Sequence, residues 1–243
     1  MPELLLVPAI VCAATAVLAG VVRGFAGFGA AMILTPVFSA FYGPAVGVPV
    51  CLLVEFCISF PLLRQALPLV DWRQIATLLV AAALGVPLGV WLLAWADPAA
   101  IRWAISGIVL GAVLLLVSGW RYTGKPVLAG TLAAGATSGF LNGLAGMAGP
   151  PIAFYYLAGA GAAAAIRASF IVYFAAVDLV ALLGLTARGL MTSQALLLAA
   201  IFVLPYVGGG LVGERLFKFA SETFFRRLAL IILTVVAIVT PFL

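Results

Sequence analysis

Histidine is absent from all 243 residues. That removes His-ligated metals, histidine general bases, and Ser/His or Cys/His dyads from consideration. Charge is nearly as scarce. Only 8% of the residues are Asp, Glu, Lys or Arg, against about 25% in a soluble domain, so a solvated outer shell around a single core is excluded. Cysteine is limited to Cys12, Cys51 and Cys57. All three lie in apolar stretches without Cys-x-x-Cys spacing, so they specify neither a disulfide framework nor a zinc site and read as small buried apolar residues. The chain opens Met1-Pro2-Glu3 without a basic leader, and the first apolar run is therefore expected to be retained. No lipidation motif is visible.

What the sequence does have is apolar length. Hydrophobic residues make up 66% of it, well above the roughly 45–50% of soluble domains. Charges, Gly and Pro divide the chain into ten apolar runs, near 4–22, 25–42, 45–64, 74–95, 101–119, 127–141, 144–160, 167–186, 194–213 and 225–242. A membrane span needs about 20 such residues, which makes this an all-α polytopic membrane protein with no sizeable soluble domain. The net charge of +5 is a topology signal rather than a nucleic-acid footprint. Assigning the connections alternately to two faces gives one face Arg23, Arg64, Arg73, Arg121, Lys125, Arg167, Arg215, Lys218, Arg226 and Arg227. The other receives only Arg102 and Arg188. The positive-inside bias makes the rich face cytoplasmic and both termini non-cytoplasmic, in a cell inner membrane. Arg23 and Arg64 read as anchors of that face, and Tyr155, Tyr156, Trp91, Trp95, Trp103 and Trp120 as interfacial belt residues.

The chain also repeats itself. Gly20-Val-Val-Arg-Gly24-Phe25, running on to Met32 and Pro36, matches Gly135-Ala-Thr-Ser-Gly139-Phe140, running on to Met147 and Pro151, at an offset of 115. Gly85-x-x-x-Gly89 running to Arg102 matches Gly209-x-x-x-Gly213 running to Arg226, at an offset of 124. The expected organisation is two repeats, 1–122 and 123–243, of about five segments each. Five is odd, so the second copy is inverted relative to the first, the plan of many secondary transporters. Gly85, Gly89, Gly209 and Gly213 read as helix-packing residues.

The Gly-rich stretches Gly24-Phe-Ala-Gly27-Phe-Gly29 and Gly139-Phe-Leu-Asn142-Gly143-Leu-Ala-Gly146-Met-Ala-Gly149-Pro150-Pro151 are poor continuous helix, since interior Gly costs about 1 kcal/mol against Ala and Pro about 3. They predict broken or re-entrant segments, with Pro150-Pro151 opening a half-helix. Two half-helix N-termini, each with exposed N–H groups and about half a positive charge, would make an anion site. Gly24, Gly27, Gly29, Gly146 and Gly149 would admit the anion to the backbone, with Thr35, Ser138 and Asn142 as donors. Arg167 reads equally as a bidentate clamp for a sulfonate or carboxylate and as a snorkelling anchor. Glu55 and Asp178 lie deep in apolar runs, where ionisable groups are costly and default to function; they are the candidate proton-coupling pair.

These residues resemble the sulfite exporter TauE/SafE family of membrane permeases. The resemblance rests on the Gly-Phe-x-Gly-x-Gly…Pro opening, the Asp71-Trp72 linker before a Gly-x-x-x-Gly run, and the duplication. Where the family has a Gly-Gly-Gly run, this chain has Gly146-Met147-Ala148-Gly149. The resemblance implies movement of small organosulfur or organic anions such as sulfite, sulfoacetate or related sulfonates. The expected function is secondary transport of such anions or of small carboxylates, with proton coupling. A channel or facilitator without proton coupling is the alternative. The expected partners are the small anion and the lipid bilayer, with a homo-oligomer left open. No nucleic acid, cofactor, metal or enzymatic activity is expected.

Overall fold

The computed structural model describes residues 2–118, 127–157, 163–217, 222–239 and 242. Among these, each apolar run forms one helix: α1 (Pro2–Ala26), α2 (Ala31–Tyr42), α3 (Pro44–Ala66), α4 (Trp72–Trp95), α5 (Pro98–Val117), α6 (Leu128–Ala145), α7 (Gly149–Leu157), α8 (Ala163–Ala187), α9 (Ser193–Phe217) and α10 (Glu222–Val239). The boundaries follow local chemistry. Asp71 caps α4 by accepting from the Arg73 and Gln74 amides at 3.0 and 3.2 Å, and Asp97 caps α5 through Ala99 and Ala100 at 2.8 and 3.1 Å. Pro98 then occupies the first turn of α5, where its missing N–H leaves no bond unmade.

Five of the helices contain stretches long and apolar enough to cross a membrane: Val7–Phe25, Trp72–Trp95, Pro98–Leu115, Ala165–Ala187 and Ser193–Leu216. Their outward faces carry exposed Leu84, Leu88, Leu114 and Leu204, as a lipid-facing surface requires. The protein is a membrane protein. Trp91, Trp95 and Trp103 are on this exposed surface, while Trp120 lies outside the described residues. Tyr155 and Tyr156 depart from the belt expectation: both face inward, Tyr156 buried and edge-on to Tyr155. Cys12 and Cys51 are buried as expected, but Cys57 is exposed.

Glycine decides which helices meet. α1 lies against α9 and α4 against α6, and α3 and α8 pack together at the centre. The first two contacts are backbone on backbone. A Cβ at Gly20 would stand 2.1 Å from the Tyr206 carbonyl oxygen, and one at Gly24 2.1 Å from that of Gly210. Gly209 and Gly213 are equally close to the Val17 and Val21 carbonyls, so the contacts advance together and the two helices run parallel. In the second pair Gly135, Gly139 and Gly143 press on Leu78, Ala82 and Val86, while Gly85 and Gly89 press on Ala136 and Phe140. The packing reading of Gly85, Gly89, Gly209 and Gly213 therefore holds.

At 1.5 Å per residue, α2 is about 18 Å long and the described part of α7 about 14 Å, each about half a hydrocarbon core. α2 folds back on α3 through the turn at Gly43, bringing Gly47 against the Ser39 backbone. α7 folds back along α6: the Tyr155 hydroxyl lies 2.8 Å from Thr131 Oγ1 and accepts from Gln74 Nε2 at 3.1 Å, near the starts of α6 and α4.

Candidate functional site

Between α1 and α2 the helix stops for residues 27–30, with Gly27 and Gly29 at φ 77° and 93°, a region closed to most side chains. Between α6 and α7 it stops at 146–148, and Gly146, at φ 66°, donates its amide to the Asn142 carbonyl. Both breaks open on one small recess. The first break and the start of α2 contribute Phe28, Gly29 and Ala31; the second break and the start of α7 contribute Gly146, Ala148 and Gly149. The N-terminal ends of α2 and α7 thus face the same space; in α2 the Met32 and Ile33 amides already donate back to the Gly29 and Ala30 carbonyls, at 3.2 and 2.9 Å.

The remaining wall is ionisable or aromatic: Arg23 from α1, Glu55 from α3, Asn142 from α6, and Phe174 and Asp178 from α8. Arg23 is only 7% exposed. Its Nη1 lies 3.2 Å from Glu55 Oε2, its Nη2 donates to Ser59 Oγ at 3.1 Å, and its guanidinium sits 5.3 Å from the centre of the Phe174 ring. The other Glu55 oxygen accepts from the Tyr206 hydroxyl at 2.5 Å. Across the recess Asn142 Nδ2 donates to Asp178 Oδ1 at 3.0 Å, and Asn142 Oδ1 has no hydrogen-bond partner among the described residues. A buried acceptor left in that state costs about 1–3 kcal/mol unless something fills it. Phe28 and Phe174 continue into an aromatic chain through Phe170, 5.8 and 5.6 Å away, and on to Tyr156 at 5.5 Å.

Of the residues expected at a site, Gly29, Glu55, Asn142, Gly146, Gly149 and Asp178 line this recess together. Thr35 and Ser138 stand just behind it. A Cβ on Gly146 would lie 3.6 Å from Thr35 Oγ1, and Ser138 accepts from the Tyr173 hydroxyl at 3.0 Å while donating to the Ala148 carbonyl at 2.7 Å, which pins the second break. Gly24 and Arg167 are placed elsewhere: Gly24 is spent on the α1–α9 contact, and Arg167 is exposed at the start of α8. Gly27 would have nothing within 4 Å of a Cβ. The guanidinium lining the recess is that of Arg23, which sequence reasoning had made a surface anchor. Its place just past the run 4–22 is also where an anchor would stand; the one hint to the contrary is that it lies between Gly20 and Gly24, small residues at helix-packing spacing. For Tyr206 and Phe174 nothing in the sequence separates them from ordinary apolar core.

Neither the curated proteins nor the solved structures hold a match to the chain. The family comparison is positive: the description "Sulfite exporter TauE/SafE" matches residues 12–240. With nearly the whole length covered, and with apolar helices enclosing a polar recess at two helix breaks, this chain belongs to the sulfite exporter TauE/SafE family of transmembrane transport permeases.

Proposed function

We propose that the protein is a secondary transporter that carries a small organosulfur oxyanion, such as sulfite, sulfoacetate or a related sulfonate, or a small carboxylate, bound in the recess between α2 and α7. The observation that carries this reading is the meeting of two short-helix N-termini with a buried guanidinium around a single space. Backbone N–H groups and Arg23 supply the donors for an oxyanion, and the glycines at 29, 146 and 149 leave the backbone open to it. Family membership supports anion transport in general; the recess supports the small size.

The helix pairings support two inverted repeats, 1–122 and 123–243. The first helix of each half packs on the fourth of the other, α1 on α9 and α6 on α4, through glycines at matched positions. In this arrangement α2 and α7 are re-entrant half-helices entering from opposite faces and meeting near the midplane. Glu55 and Asp178 are the proton-coupling pair. The membrane is the cell inner membrane, with both termini outside the cytoplasm.

Thermal melting of the detergent-purified protein against sulfite, sulfate, methanesulfonate, sulfoacetate and acetate tests the reading, since a ligand raises stability with the logarithm of its concentration. A shift with at least one sulfonate, sulfite or carboxylate is expected. In proteoliposomes, at least one of Glu55→Gln and Asp178→Asn should lose accumulation driven by a pH gradient while retaining exchange of labelled substrate. Absence of any shift across the panel overturns the anion reading; undiminished accumulation in both variants makes the protein a facilitator.

A further inference from the structure

As it stands, the recess is poorly charged for an anion. Arg23 and Glu55 cancel one another at 3.2 Å, and the Glu55 charge is further held by Tyr206. The N-termini of α2 and α7 add about half a positive charge each. Asp178, when ionised, removes that unit. Among the described residues its hydrogen bond is to Asn142 Nδ2, so the amide turns one N–H to the acid, while Oδ1 of this recess-lining residue has no partner among the described residues. Asn142 is fully buried, so bulk water does not satisfy that oxygen.

We propose that Asn142 links a proton on Asp178 to a single monovalent oxyanion in the recess. When Asp178 takes a proton from a hydronium ion, breaking one hydronium O–H bond and leaving water, its new O–H donates to Asn142 Oδ1. The amide turns by half a revolution to accept it, and Nδ2 then faces the recess and donates to the anion beside Arg23. Only the Asp178 O–H bond forms, and the same bond breaks when the anion leaves. One proton and one monoanion move together, so the cycle carries no net charge. A dianion would leave one negative charge unbalanced and is rejected, which narrows the candidates to monoanions, a simple sulfonate, hydrogensulfite or a monocarboxylate, and excludes sulfoacetate and fully ionised sulfite. The groups facing Asp178 are consistent with a local exchange: Arg23 on α1, Glu55 on α3, Tyr173 on its own helix and Tyr206 on α9. α6 contains no titratable residue, α7 only Tyr155 and Tyr156, and α4 none beyond Arg73.

This inference rests on the anion-transport reading, and its test separates the two. Titration calorimetry of the full-length protein with methanesulfonate, in two buffers of different ionisation enthalpy, gives the protons taken up per anion. The parent should take up one, with affinity falling about tenfold per pH unit once Asp178 is ionised. Asp178→Asn should bind with affinity independent of pH and take up none. Asn142→Leu should bind more weakly, with uptake falling toward zero; if that variant does not fold, Asn142→Ala serves the same comparison. Infrared difference spectra of the parent should gain a carboxylic acid band on anion addition, retained in Glu55→Gln and lost in Asp178→Asn. Full proton uptake in the Asn142 variant would show coupling through space and overturn the amide link. So would sulfate bound as tightly as methanesulfonate, or binding by the parent without proton uptake. Failure of the parent to bind methanesulfonate, sulfite or a carboxylate removes the anion reading itself.

Discussion

Arg23 illustrates how burial changes what a residue means. A guanidinium 7% exposed is tolerable because Glu55, Ser59 and the Phe174 ring surround it; each oxygen of Glu55 is engaged in turn, by Arg23 and by Tyr206. Removing one member of a buried pair leaves an uncompensated charge, which typically destabilises by about 3–5 kcal/mol, whereas neutralising both costs far less. Arg23→Gln should therefore lower the melting temperature and abolish anion-dependent stabilisation. Adding Glu55→Gln should recover most of the stability without restoring the anion response. The measurement is detergent melting of the single and double variants with and without ligand. Full recovery of ligand response in the double variant would remove Arg23 from the site. The pair joins residues far apart in the chain, as does the Glu55–Tyr206 bond, and no local spacing announces either. Glu55 and Asp178 were legible only because acids inside apolar runs are rare. Asn142 was legible because of the glycines around it.

At the scale of elements, the contrast between packed and open glycines is testable. A Cβ at Gly139 would lie 2.2 Å from the Ala82 carbonyl oxygen, whereas at Gly107 and Gly111 on α5 there is nothing within 4 Å. Gly139→Ala should force α4 and α6 apart and reduce folded yield sharply. Gly107→Ala should be neutral or stabilise by up to about 1 kcal/mol, from helix propensity alone. Detergent melting or folded yield after solubilisation checks both; a tolerated Gly139→Ala would refute the backbone contact. The ten apolar runs were readable because apolar length and Gly/Pro punctuation are local properties, and each run became one helix. The breaks at 27–30 and 146–148 were readable for the same reason. Which helix lies on which was not, because the glycine faces of α1 and α4 look alike until α9 and α6 are set beside them. Gly24 shows the limit: it shares a motif with Gly27 and Gly29, but its helical position turns it toward α9 instead of the recess.

For the whole molecule, the burial of Arg23 takes one cation from the face rich in Lys and Arg and leaves the asymmetry intact, with nine against Arg102 and Arg188. Exposed Arg73, beside the start of α4, reports on this face. In a background with Cys12, Cys51 and Cys57 replaced, Arg73→Cys should react with an impermeant maleimide only after the membrane is opened. Ala187→Cys should react in intact spheroplasts. The opposite pattern would invert the orientation.

The crossed pairing of α1 with α9 also constrains how the protein is made. α1 carries Gly20, Gly24 and the Arg23 charge on faces that meet α9, α3 and the Phe174 ring of α8. Glu55 follows within seconds of synthesis, but Gly210 emerges roughly 190 residues after α1, on the order of 10–40 s later at ordinary elongation rates. Through that interval the glycine face of the nascent α1 has yet to meet the α9 backbone that it packs against in the folded protein.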